Sequence, residues 1–197
     1  MDERLRDYLD RLHADGVVFD ERQPDRRSRR RNLEPDSANL LWILSVAMGA
    51  RVILEIGTSN GYSTMWLADA ARQTGGRVTS VDIDGAGQSE ARRHLMANGL
   101  ESQVSLVASD AAEYLTAATS SAFDLLFIDS ERTEYSTWWP HPLRIVRPGG
   151  LLVVDNAISH ASELGTFIEL LTRSDQVVCQ IVQIGKGELI CCKTSDS

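Results

Sequence analysis

Hydrophobic positions along the chain fall into short blocks whose period switches between about 2 and about 3.6, the signature of strands alternating with helices. After a short helical spacing at Leu5, Leu9 and Leu12, residues 1–31 are polar and without sustained periodicity. Pro35 and Asp36 open a predicted helix that carries Leu40, Leu41, Leu44 and Met48, proline being suited to the first helical position. Residues 51–56 read as a strand, followed by the glycine-bracketed stretch 57–61 and a helix bearing Met65, Leu67 and Ala68. The alternation repeats with a strand at 77–81, a helix at 86–98 closed by Gly99, a strand at 104–107 and a short helix at 111–118. Residues 123–128 are nearly all apolar, as a central strand covered on both faces requires. Pro148-Gly149-Gly150 predicts a turn into a strand at 151–154, and residues 162–172 a helix. The tail breaks the rhythm. Two strand-like runs, 177–183 and 188–192, flank Gly185-Lys186-Gly187, which predicts a hairpin and an antiparallel last strand. The expected fold is a three-layer α/β domain on a seven-stranded, mostly parallel sheet with an antiparallel C-terminal edge hairpin. Residues 1–33 form an N-terminal helical and basic segment, and 34–197 the main domain.

At 197 residues the chain suffices for one substantial core, and 43% hydrophobic with 24% charged residues is an ordinary globular balance. The net charge of −8 argues against a duplex nucleic-acid partner. Locally the sign reverses: Arg22, Arg26, Arg27, Arg29, Arg30 and Arg31 crowd into one segment. That segment reads as a solvated connector, or else as a cover over an active site, a dimer contact, a grip on an anionic substrate or an RNA contact. No apolar run is long enough to cross a bilayer, and the start Met1-Asp2-Glu3-Arg4 has no apolar signal core, so a cytoplasmic protein without a membrane partner is expected. Cys179, Cys191 and Cys192 show no metal-ligand spacing and read as buried thiols in a reducing compartment.

Open parallel sheets bind ligands beyond the carboxyl ends of their strands, where the unusual residues of this chain gather. Gly57 and Gly61 bracket a tight turn that lets a ligand approach backbone closely, and Asp82 at the end of the next strand can accept both hydroxyls of a ribose lying over it. A helix cap or solvated strand end is the plain alternative for Asp82. Glu55, just before the turn, suits a cationic ligand end better than a pyrophosphate. Ser59 and Tyr62 stand where a dinucleotide fingerprint wants glycines, which disfavours a nicotinamide enzyme. The stretch 57–61 also matches a nucleophile elbow, with Ser59 followed by Asp129 or Asp155 and then His160. That serine-hydrolase reading leaves Glu55 and Asp82 without roles. Asp110 and Ala111, after the third strand, can meet a base, or Asp110 can cap the next helix.

On the other side of the site, Asp129 ends the fourth strand while Asp155 and Asn156 end the fifth. Converging carboxylate and amide oxygens suit a hard cation such as magnesium, which could hold an acceptor's hydroxyl oxygens. Tyr135, Trp138 and Trp139 offer an aromatic wall or ordinary helix packing.

The glycine segment 54–63, Asp82, Phe127-Ile128-Asp129 and Gly149-Gly150-Leu151-Leu152-Val153-Val154-Asp155-Asn156 together resemble the catechol and caffeoyl-coenzyme A type O-methyltransferases, over roughly residues 34–193. Leu33-Glu34-Pro35 with Leu40 and Leu41 is similar to the segment preceding that family's core. The resemblance implies a class I, Rossmann-like methyltransferase with S-adenosylmethionine (SAM) as cofactor. Glu55, Gly57, Ser59, Gly61, Ser63, Asp82, Asp110 and Ala111 would line its pocket. Asp129, Asp155 and Asn156 would ligate a divalent cation, expected to be Mg2+, and the acceptor would be a small hydroxylated aromatic molecule. Family members are monomers or dimers, so a homodimer stays open. One residue departs from the pattern. The family commonly carries a lysine, its general base, three residues beyond the first metal-binding aspartate, where this chain has Arg132. Arginine stays protonated, so Arg132 could orient an oxyanion while His160 or another group takes the proton. The expected catalytic set is Asp129, Arg132, Asp155 and His160. A metal-free methyltransferase for another acceptor class and a noncatalytic SAM-binding module are the alternatives.

Overall fold

The structure is a computed structural model that describes residues 1–25 and 28–195. Arg26 and Arg27 of the basic segment lie outside the described residues. Seven strands form one sheet: β1 (Val52–Ile56), β2 (Arg77–Asp82), β3 (Val104–Ala108), β4 (Phe123–Ile128), β5 (Val146–Val154), β6 (Val177–Val182) and β7 (Glu188–Lys193). Their order is β3-β2-β1-β4-β5-β7-β6. The first five are parallel, while β7 runs antiparallel to both β5 and β6. This is the expected three-layer sheet with its antiparallel edge hairpin.

Period-two alternation sends each strand's side chains to two separate cores. Leu54, Ile56, Leu126, Ile128, Leu152 and Val154 face one core, closed by α5 (Ala111–Ala117), α6 (His141–Ile145) and α7 (Ala161–Thr172). Ile53, Leu125, Phe127 and Val153 face the other, closed by α1 (Glu3–Glu21), α2 (Pro35–Ala47), α3 (Tyr62–Thr74) and α4 (Gly85–Ala97). The leucines at 5, 9 and 12 are buried in this second core, and the helix they belong to runs on to Glu21, longer than their spacing alone predicts.

Two expectations are corrected. The predicted turn at Pro148-Gly149-Gly150 lies inside β5, which begins at Val146. There the register jumps: Phe123 faces Val146, but Leu125 faces Leu151. Gly149 takes up φ 75°, and a Cβ at Gly150 would come within 2.8 Å of the Asp124 carbonyl oxygen, so the glycines serve a bulge. The second correction concerns the cysteines. Cys179 and Cys191 face each other across β6 and β7 and form a disulfide, leaving Cys192 as the free thiol among the described residues. The inference of a reducing compartment from three thiols therefore loses its basis.

Candidate functional site

Strand β1 is flanked by β2 on one side and β4 on the other, so the crossovers leave in opposite directions and a crevice opens above its carboxyl end. A cavity of about 510 Å³ fills that crevice. The turn from β1 into α3 forms its floor. Gly57 (φ 106°), Ser59 (φ 49°) and Gly61 (φ 87°) all adopt left-handed backbone, which curls the chain into a tight turn. A Cβ at Gly57 would collide with the Asp129 carbonyl oxygen at 2.0 Å, and one at Gly61 with Ala91 at 2.6 Å, so both positions require glycine.

Asp82, at the end of β2, braces this turn. Its Oδ2 accepts from the backbone N–H groups of Thr58 and Ser59 (both 2.9 Å), and its Oδ1 from Asp84 N–H (2.8 Å). The side chain also lines the cavity. Asp110 lines it too, while its Oδ1 accepts from Glu113 N–H at 3.1 Å as the N-cap of α5. Ala111 and Ser63 stand in the same wall.

Glu55 does not reach that wall. Alternation turns it with Ile53 toward α3, where it is fully buried and accepts from the hydroxyls of Ser63 (2.6 Å), Thr64 (2.5 Å) and Ser80 (2.5 Å). Burial raises its pKa to about 7 against the opposing pull of these three donors. Glu55 anchors the start of α3 and, through Ser63, reaches the cavity only indirectly.

Arg29–Leu33, in the connector between α1 and α2, roofs the cavity. Arg30 Nη2 donates to Glu90 Oε1 on α4 at 2.6 Å, its guanidinium stacks 4.2 Å from the Phe19 ring, and its carbonyl accepts from Ser59 Oγ at 3.1 Å. Of the described arginines of this basic segment, Arg29, Arg30 and Arg31 border the cavity and Arg22 caps α1. The Ser59 hydroxyl is thus directed at the roof. His160, which the hydrolase alternative requires beside it, lines a second cavity and packs against Ser159 (2.8 Å).

That second cavity, about 330 Å³, lies between α1, the connector, Arg132, Asn156, His160 and Lys186. Arg29, Arg31, Asn32 and Arg132 line both cavities and form the partition between them. Asp129 lines the first, and Asn156 Nδ2 bridges Asp155 Oδ2 (2.5 Å) and Asp129 Oδ1 (3.4 Å). The structure thus brings Asp129, Asp155 and Asn156 together. Asn156 adopts φ 69°, a left-handed backbone rare for a side-chain-bearing residue. Burial, reinforced by the charge of Asp155, lifts Asp129 to about 7. Burial, then the charge of Glu188, lifts Asp155 to about 8. Glu188, buried at the start of β7, is itself lifted to about 7 by desolvation. No group of three His, Cys, Asp or Glu residues with metal-binding placement exists among the described residues. The oxygen set of two aspartates and one asparagine nonetheless fits a hard cation: Asp155 Oδ1 is buried without a hydrogen-bond partner, and the Asp129 and Asp155 carboxylates repel each other. The amide would have to turn its oxygen, now accepting from Ser159 Oγ at 3.2 Å, toward the carboxylates.

Arg132, 3% exposed, donates from Nε to Glu163 Oε2 at 2.8 Å and leaves Nη2 without a partner. Tyr135 and Trp138 belong to the core, stacked with ring centroids 4.9 Å apart, and Trp138 also borders the first cavity. The residues that sequence reasoning missed are Glu188, Lys186 and the hydroxyls of Thr64 and Ser80. A lone acid inside the apolar run Glu188-Leu189-Ile190-Cys191 was the available signal for the first.

A family model described as O-methyltransferase matches residues 22–186. A catechol O-methyltransferase of Niastella koreensis is 34% identical over 130 residues, 64% of this chain and 58% of the relative. One of Mycobacterium tuberculosis is 36% identical over 118 residues, 60% of this chain and 53% of the relative. The matched stretch thus spans little more than half the length of either. Among solved structures, the O-methyltransferase TomG of Streptomyces achromogenes, in complex with SAM, superposes with a TM-score of 0.72 at 23% identity, covering 99% of this chain and 100% of that one. This last likeness concerns the fold.

Proposed function

The chain belongs to the O-methyltransferase family, and from that premise we propose that it transfers a methyl group from SAM to a hydroxyl oxygen of a small aromatic acceptor, assisted by a divalent cation. The observation that carries this reading is the pair of cavities meeting at Arg132: one over the glycine turn and Asp82, the other beside Asn156 and His160. A donor in the first and an acceptor in the second would meet at the partition, beside Asp129.

The 57–61 turn, whose glycines allow close approach, and the Asp82 carboxylate would hold the sugar and amino-acid portions of the cofactor, with Asp110 and Ala111 at its base. Asp129, Asp155 and Asn156 would hold the cation, whose charge would lower the acceptor hydroxyl's pKa. Confinement between the arginine roof and Trp138 would align the two reactants, which converts an encounter into a near-unimolecular displacement. Arg132 keeps its proton and would hold a negatively charged group of the acceptor through Nη2. His160 stands in the acceptor cavity as the group able to take the hydroxyl proton.

Methyl transfer from labelled SAM to a panel of catechols and phenols, before and after chelation, tests the proposal. The expected result is turnover that chelation suppresses and magnesium restores, with S-adenosylhomocysteine (SAH) binding largely spared. Full activity in verified metal-free protein would remove the cation and leave the methyl transfer standing; absence of transfer to every hydroxylated acceptor would overturn the whole reading.

A further inference from the structure

The acceptor cavity carries a charge pattern opposite to that of the chain around it. Four cationic residues line it, Arg29, Arg31, Arg132 and Lys186, against the carboxylates Asp20 and Glu34, in a protein of net charge −8. Both carboxylates are already engaged. Asp20 accepts from the backbone N–H groups of Arg30 (2.7 Å) and Arg31 (2.8 Å), and Glu34 pairs with Lys186 at 2.9 Å. Arg132 keeps its Nη2 without a partner although the side chain is 97% buried, a costly state for a cationic donor. Arg31, whose guanidinium makes no ion pair among the described residues, is pinned by Asp20 in left-handed backbone (φ 48°). Strained non-glycine backbone held by a dedicated carboxylate marks a residue whose placement matters.

We propose that the acceptor is a single-ring hydroxylated aromatic carboxylate, its acid group held by Arg132 and Arg31 at the partition between the cavities. The inference rests on the methyltransferase reading for the hydroxyl and on these charges for the acid. The planar fork of a guanidinium matches a carboxylate through two parallel N–H···O bonds, which the point charge of a lysine does not reproduce. Anchoring the ring by its acid would leave the hydroxyl edge to face Asp129 and Asn156. The volume of 330 Å³ lies at the small end of ligand pockets, which suits one ring better than an acyl chain with a bulky carrier.

The test compares 3,4-dihydroxybenzoate with its methyl ester, which keeps the hydroxyls and the ring but removes the charge. Affinity for each is measured by calorimetry with and without SAH, so that failure of cofactor binding, which counts against the methyltransferase reading, leaves this comparison intact. The acid is expected to bind about tenfold or more tighter than the ester, with a preference that shrinks as salt rises. Arg31→Gln, at an exposed position, and Arg132→Gln should each cut that preference to about threefold or less, while Arg132→Lys retains part of it. Equal or weaker binding of the acid, or a preference undiminished in both glutamine variants, overturns the proposal.

Discussion

Asp82 shows how one carboxylate can serve fold and ligand at once. Its oxygens already accept three backbone N–H groups that shape the glycine turn, so removing it should disturb the cofactor cavity as well as any ribose contact. Asp82→Ala is expected to weaken SAH binding by at least about tenfold in calorimetry, two lost charge-assisted bonds being ample for that. Asp82→Asn should fall between, since its amide oxygen can still accept from Thr58 and Ser59 but its NH2 opposes Asp84 N–H. Burial gives a second residue-scale prediction. Glu55, Asp129, Asp155 and Glu188 hold their protons more tightly folded than unfolded, with folded values of about 7, 7, 8 and 7. Their contribution to stability is complete below the ordinary carboxylate range and is lost as pH rises through those folded values. The melting temperature of metal-free protein should therefore fall from about pH 4.5 to about pH 8 and level off above that, and Asp155→Asn should flatten the decline. Magnesium, if it binds there, takes the deprotonated carboxylates, so its stabilising effect should grow over the same interval. A melting temperature that climbs with pH in both proteins would contradict this account. Asp129 and Asp155 could be read from the chain because each directly follows an apolar strand. The mutual burial of Asp155 and Glu188 could not, since it depends on β7 lying beside β5 in a particular register.

At the scale of elements, strand–helix alternation was legible because each strand's period matches the two-sided burial it meets. What escaped were features set by tertiary contact. The bulge in β5 looks like a turn because Pro148-Gly149-Gly150 is ordinary turn chemistry; only pairing to β4 makes it part of a strand. The cysteines look like thiols because their facing positions follow from the hairpin register. Glu55 faces away from the cavity because strand alternation, once the register is known, assigns it to the α3 side. The first helix is the element whose role the chain's polarity most obscured. It buries only a narrow stripe, yet Leu9 is fully enclosed, and Tyr8 OH meets His94 Nδ1 of α4 at 2.7 Å. Leu9→Ala is expected to cost about 2–5 kcal/mol. Because this stripe shares a core with β1, β4 and α3, unfolding in denaturant should remain a single transition with a lower midpoint. A separate early transition for residues 1–33 would show instead that the segment folds apart from the sheet.

Across the whole molecule, the two cavities are separated by a connector that neither wall of the sheet supports directly. Its attachments run to distant elements: Arg30 to Glu90 on α4, the Arg30 carbonyl to Ser59 in the glycine turn, and the Arg30 and Arg31 amides to Asp20 at the end of α1. These are polar contacts at or near the surface, each worth little alone, so the roof should open more readily than the sheet beneath it. Occupying the cavity below must therefore stabilise the closed connector, because a ligand bound only to the closed form shifts the opening equilibrium by mass action. Trypsin cleavage after Arg29 or Arg31, followed by mass spectrometry under conditions where opening is fast relative to cutting, reports that equilibrium. SAH at about one hundred times its Kd is expected to slow cleavage there by tenfold or more, while a site at Arg173, exposed at the C-cap of α7 and lining neither cavity, changes little. Glu90→Gln, which weakens the tie to α4 and leaves the cavity lining intact, should speed cleavage without SAH and restore much of the protection with it. Cleavage at the connector that is indifferent to SAH would mean that these arginines cover the cavity without closing on what it holds.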